Sequence, residues 1–220
     1  MGGAIIVVVC IIVAIIWGIR AGKKRRTEMG LLAERLGLQF SSERNYGFAK
    51  QYAFLDKLRQ GENRYAYNIM TGPFQGHEVA AFDYHFETHS TDSKGHRETH
   101  HHYFSFFILS LEASFPELTI AKEGFLSKIA QAVGFDDIDF ESHEFSRRFE
   151  VRSKDKKFAY DFCNAQMIDF LLGQSDINIE VDQHSLALGF NRCLKVEEIE
   201  QHLNQLIEIR KRMPDYLFES

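Results

Sequence analysis

The first nineteen residues carry no charged side chain, and residues 4–16 are drawn only from Ala, Ile, Val and Cys. No other feature restricts the chain so strongly. As an α-helix, nineteen residues extend about 28 Å, close to the roughly 30 Å hydrocarbon thickness of a bilayer. A buried strand is far shorter, and a helix on the surface of a soluble core shows a polar face. A cleaved signal peptide starts with basic residues and ends at a small-residue cleavage site. Here the order is reversed, because Arg20, Lys23, Lys24, Arg25 and Arg26 follow the apolar run. The sequence therefore predicts an uncleaved transmembrane helix over 1–19, with Trp17 near its interfacial end, and a basic juxtamembrane collar over 20–26.

Lys and Arg flanking a span stay on the cytoplasmic side. This orientation places the N-terminus outside, the span in the inner (plasma) membrane, and residues 27–220 in the cytoplasm as one domain. Apart from the collar, the chain keeps 21 basic residues against 31 acidic ones, a formal charge of −10 for 27–220. Such a balance excludes a nucleic-acid partner by charge. It also keeps most of the domain surface off anionic lipid, while the collar is attracted to it. Three cysteines, with Cys10 in the span and no C-x-x-C spacing, do not form a disulfide framework. With 20 Phe, 8 Tyr and only 3 Pro, about 190 residues can bury one substantial core.

Hydrophobic periodicity predicts a short helix over 27–37, placing Met29, Leu32 and Leu36 on one stripe, stopped by Gly37 and continuing the membrane helix after a break at Gly22. A second helix is expected over 46–60. Residues 64–70 alternate, with Tyr65, Tyr67 and Ile69 on one face, and a turn at Gly72, Pro73 and Gly76 leads into a return strand. On that strand Ala80, Phe82, Tyr84 and Phe86 oppose Ala81, Asp83, His85 and Glu87. After a polar loop, 103–111 is almost continuously apolar and suits a strand covered on both faces. The three strands form an antiparallel meander. Further expected elements are a short strand at 118–121, a helix over 124–133 and a strand over 145–152. A helix over 156–172 follows, broken where Asn164 caps a second segment. Residues 176–190 read as a hairpin turning at Gln183 and His184, and a last helix starts near Val196 and is ended by Pro214. The predicted class is α+β: an N-terminal transmembrane helix, then one domain with an antiparallel sheet, meander plus hairpin, and helices packed on one side.

Six histidines, His85, His89, His96, His100, His101 and His102, fall on two adjacent strands and their loop. Neutral imidazoles with Asp83 and Glu87 suit a transition metal. Alternation groups Asp83, His85 and Glu87 on one strand face, and His100 and His102 on one face of the next. The competing reading is a solvated hairpin with a His-rich tip, since no H-E-x-x-H spacing occurs. Asp136, Asp137, Asp139, Glu141 and Glu144, near His143 and Arg147, lack the EF-hand order and read as a solvated connection. No nucleophile elbow, phosphate loop or dinucleotide fingerprint is present. Cys163 and Cys193 read as packing residues, because a reactive thiol needs an electropositive, exposed setting. No catalytic, cofactor or metal residue is assigned from the sequence.

Several segments together carry a resemblance: Phe-Pro-Glu-Leu at 115–118, Gly-Phe-Asp-Asp-Ile-Asp-Phe at 134–140 and Glu-Phe-Ser-Arg-Arg-Phe at 144–149. With them stand Leu-Gly-Leu-Gln-Phe at 36–40, Gly61, Asn-Ile-Met-Thr-Gly at 68–72, Phe82-Asp83-Tyr84, and Phe158-Ala159 before Met167. The chain resembles a bacterial family of single-span, membrane-anchored proteins of unknown function. The resemblance covers nearly all of 27–220. It implies a bacterial source and a stable α+β domain, and it names no site. It also implies that His100, His101 and His102 are local decoration.

The function expected from the sequence is a cytoplasmic protein-interaction or scaffolding module tethered to the membrane and serving another membrane protein. The alternative is a membrane-tethered, metal-dependent hydrolase or metal-binding protein that uses the 85–102 hairpin.

Overall fold

A computed structural model describes residues 2–92, 95–122, 138–174 and 177–219, without the side chains of 2–5, 8, 11, 14 and 15. Helix α1 spans Gly2–Leu36 and does not break at Gly22. Nothing packs against Gly22, so its missing side chain opens no kink, and one helical glycine costs only about 1 kcal/mol. The helix stops where expected. Gly37 takes φ 71°, its amide donates to the Glu34 carbonyl at 3.1 Å, and the Leu38 amide donates to the Ala33 carbonyl at 2.8 Å. These two bonds satisfy carbonyls the helix end would leave open. Met29, Leu32 and Ala33 on its last turns are buried. Counting only the described residues, which leave out the side chains of 2–5, 8, 11, 14 and 15 in the apolar run, no helix is long and apolar enough to cross a membrane.

Among the described residues the sheet has six strands, all paired antiparallel: β1 (Gln39–Ser41), β2 (Glu62–Phe74), β3 (His77–Thr91), β4 (Arg97–Lys122), β5 (Phe149–Ser153) and β6 (Ile179–Gly189). The expected meander is β2–β3–β4. Strand β4 is its spine, joining the two stretches expected at 103–111 and 118–121. Residues 106–109 pair with β3 on one edge and β6 on the other, and 118–120 pair with β5 and β6. Strands β3 and β5 therefore follow one another along one edge of β4, and β6 runs along the other.

Besides the break at Gly22, other expectations are corrected. The hairpin over 176–190 is one strand: Gln183, at φ 51°, passes opposite Phe115 as a bulge, and β6 keeps its ladder to β4 on both sides. Pairing along β4 satisfies more of the backbone than a turn would. The strand expected over 145–152 starts as helix α3 (His143–Arg148), because the Ser142 side chain caps the Phe145 amide. The helix over 46–60 shortens to α2 (Tyr46–Gln51), followed by turns to residue 60. The face expected to hold Tyr65, Tyr67 and Ile69 is split by a bulge described below. The helix over 124–133 lies outside the described residues.

Helices α4 (Lys156–Phe162) and α5 (Ala165–Leu172) divide as expected, with the Asn164 side chain accepting from the Met167 amide at 3.1 Å. Helix α6 (Val196–Arg212) ends just before Pro214. The larger core joins α1, α4, α5 and α6 to one sheet face, through Met29, Val79, Ala81, Phe107, Leu109 and Leu203 among others. On the opposite face Ala80, Phe82, Tyr84, Phe86 and Phe106 are covered by Ala49, Leu55 and Leu58. The two faces of β3 thus divide as alternation predicts, but the helices do not all pack on one side as expected, because α2 and the turns after it cover the second face, which is itself apolar.

Candidate functional site

Strand β2 departs from regular pairing twice, between Glu62 and Tyr65 and between Tyr67 and Met70. At these two places Asn63 and Asn68 adopt φ 47° and 50°, a left-handed conformation that asparagine tolerates better than most residues. Bulges redirect side chains. Ile69 turns into the core beside Ala80 and Phe82. Tyr65 and Tyr67 instead lie on the face of Asp83 and His85, Tyr65 stacking on the His85 ring at 4.5 Å and the Tyr67 hydroxyl lying 3.9 Å from Cys193 Sγ.

Asp83 is completely buried and fully engaged. Arg25 reaches it from α1, Nε donating to Oδ2 at 2.7 Å and Nη2 to Oδ1 at 2.6 Å. Asn68 Nδ2 donates to Oδ2 at 2.9 Å and Ser105 Oγ to Oδ1 at 3.0 Å. Arg25 Nη1 also donates to the Leu194 carbonyl at 2.5 Å, while the Leu194 amide donates to Ser105 Oγ at 2.9 Å. Burial alone would lower the Arg25 pKa, but the hydrogen bond and charge of Asp83 outweigh it and the pKa is raised. One residue of the predicted collar is therefore part of the domain's interior. The network ties α1 to β2, β3, β4 and the start of α6, and it removes Asp83 from any ligand set.

Two residues further along β3, a second polar group forms. Cross-strand register sets Glu87 opposite His101 and His85 opposite Tyr103. His85, only 2% exposed, places Nε2 3.1 Å from His101 Nδ1 and 3.9 Å from Glu87 Oε1. His101 Nδ1 lies 3.3 Å from the same Glu87 oxygen. His85 Nδ1 meets the Asn63 carbonyl at 3.1 Å, and Asn63 Nδ2 donates to Glu87 Oε1 at 2.6 Å. Desolvation holds the His85 pKa below its ordinary value. These three side chains can together present two ring nitrogens and one carboxylate oxygen to a cation.

The histidine set differs from the one alternation suggested. His100 and His102 turn to the opposite face, His100 bonding Ser90 and His102 bonding Thr88 while stacking on Phe86 at 4.4 Å. His89 and His96 pair with Glu62 and Asp92. His101 is thus the histidine that joins His85, and only the pairing register identifies it. A sequence signal did exist for its support: Asn63 and Asn68 bracket the aromatic strand, and asparagine is the non-glycine residue suited to a bulge.

Asp139, Glu141 and Glu144 are exposed, and Asp136 and Asp137 lie outside the described residues. Cys163 is buried, which pushes its thiol pKa up. Desolvation likewise raises Cys193 to about 11. Both settings disfavour the thiolate.

No family model matches this sequence, and no curated protein does. In architecture the chain is an α+β protein built on a long antiparallel meander. The crystal structure of the mycobacterial trehalose monomycolate transport factor A, TtfA, is similar, with a TM-score of 0.61 over 90% of this chain and 95% of that one. The two sequences are 13% identical, so the similarity is one of fold.

Proposed function

We propose that this chain is a membrane-tethered interaction module, its α1 apolar segment spanning the inner membrane with the N-terminus outside and its sheet domain in the cytoplasm. The observation that carries the reading is the division of α1. Its last turns are built into the domain through Arg25 and Met29, while Ile6, Val7, Val9, Ile12, Val13, Ile16, Trp17 and Ile19 stand exposed to 44% or more. Exposed apolar side chains in such a run need a nonaqueous environment. A continuous helix then holds the domain within about 9 Å of the end of the apolar segment, counting six residues from Ile19 to Arg25 at 1.5 Å each.

A domain held that close works on something in or at the same membrane. The fold shared with a protein named as a transport factor supports a membrane transport assembly as the setting, and the resemblance to an anchored bacterial family agrees with the tether. Site-specific photocrosslinking from exposed positions of the domain, in intact membranes, tests the reading. The expected result is one partner protein captured reproducibly after a moderate-salt wash. Recovery of only abundant membrane proteins, changing from position to position, refutes it.

A further inference from the structure

The His85, Glu87 and His101 cluster has no part in tethering, yet its geometry is specific. Around a tetrahedral zinc ion, with bonds of about 2.0–2.1 Å, ligand atoms stand roughly 3.3 Å apart. The three donor atoms here are separated by 3.1, 3.3 and 3.9 Å. They come from neighbouring strands locked by register rather than from a loose loop.

The surrounding groups orient these donors in the way metal ligands are usually supported. The Asn63 carbonyl at 3.1 Å accepts from His85 Nδ1, which fixes the tautomer and leaves the Nε2 lone pair facing His101 and Glu87. The Asn63 amide holds Glu87 Oε1 at 2.6 Å. Tyr65 and Tyr103 pack on the His85 ring at 4.5 and 4.8 Å, restricting its rotation. Gly61, at φ 61°, lets β2 approach so closely that a Cβ there would lie 2.2 Å from the Glu87 carbonyl oxygen.

We propose that His85 Nε2, His101 Nδ1 and Glu87 Oε1 form a three-ligand site for a divalent zinc ion, with the fourth position open to solvent beside the half-exposed His101. Two imidazoles and a carboxylate suit zinc among the common biological cations, whereas calcium and magnesium require oxygen donors. Zinc binding at this site does not depend on the tether or on any partner, so its test and the crosslinking test fail independently.

The experiment uses the full chain without a polyhistidine tag, purified in mild detergent, with zinc titrated against a chromophoric chelator. The native chain is expected to bind one equivalent. His101→Ala and Glu87→Gln, each changed at or near the surface, are expected to weaken binding about tenfold or more, while the His100→Ala, His102→Ala double variant keeps it. Zinc should raise the melting temperature of the native chain and leave that of His101→Ala unmoved. Cobalt in place of zinc should give the visible absorption of a four-coordinate nitrogen and oxygen site. Absence of stoichiometric zinc, unchanged affinity in both ligand variants, or loss confined to the His100, His102 variant overturns the proposal and leaves the cluster a hydrogen-bond relay only.

Discussion

Glu180 stands at the start of β6 between Ile179 and Val181, and its carboxylate oxygens accept from the Lys57 amide at 3.1 and 3.3 Å. Alternation alone places it outward, opposite its inward neighbours. The structure buries it, because the turns after α2 cover that face, and period-two patterning cannot say whether the far side of a sheet is covered. Desolvation, with the Asp56 charge adding to it and the Lys57 amide and charge opposing, raises its pKa from 4.5 to about 8. The sign follows directly. Below about pH 4.5 both folded and unfolded chains hold the proton, and the contribution of this group to stability is fully present. As pH rises the unfolded chain ionises first, so stability falls and is lost through about pH 8. Glu180→Gln keeps an acceptor for the Lys57 amide and removes the titration. Thermal unfolding between pH 4.5 and 8.5 should show the variant level with the native chain at the acid end and about 3 °C or more above it at pH 8. Parallel profiles would refute this account.

At the scale of elements, the sequence was most informative where a pattern was local. Gly37, Asn164 and Pro214 act through their own backbone or side chain, and each ends or starts a helix where it was expected to. The meander was legible because turn residues and alternation agree along β2 and β3. What failed depended on partners distant in sequence. Ser142 is the local exception, a cap on the Phe145 amide three residues on that converted a strand-like segment into α3; Gln183 became a bulge because β4 was long enough to pair beyond it. Arg25 belongs to the same class, for nothing in the basic run distinguishes it from Lys24 or Arg26. Only the fold brings it to Asp83. Removing one partner of a buried pair strands the other, at a cost of about 3–5 kcal/mol. Arg25→Ala should therefore destabilise the domain by roughly that amount in chemical denaturation, whereas Lys24→Ala, whose exposed contact to Glu28 is 3.6 Å long, should change it by less than about 1 kcal/mol. Adding Asp83→Asn to Arg25→Ala should recover part of the loss, since no buried charge is then left alone. A double variant as unstable as the sum of the singles would show the pair to be uncoupled.

For the molecule as a whole, the ion pair and the proposed topology make different demands on the same basic residues. Orientation is set as a segment inserts, by the Lys and Arg close to it, before β3 exists to bury Asp83. Pairing in the folded state therefore leaves the orienting charge of Arg25 intact, and all five basic residues count toward the proposed cytoplasmic placement. After folding, Arg20, Lys23 and Arg26 remain exposed and can meet anionic headgroups, while Arg25 serves the domain. These roles separate experimentally. A reporter active only outside the cytoplasm, fused after Ser220, should stay silent in the native chain. Replacing Arg20, Lys23, Lys24 and Arg26 with Gln while keeping Arg25 should raise reporter signal without unfolding the domain, because the Asp83 network is untouched. A bright native fusion would reverse the proposed orientation. A variant that stays silent would show that the charge asymmetry does not set it.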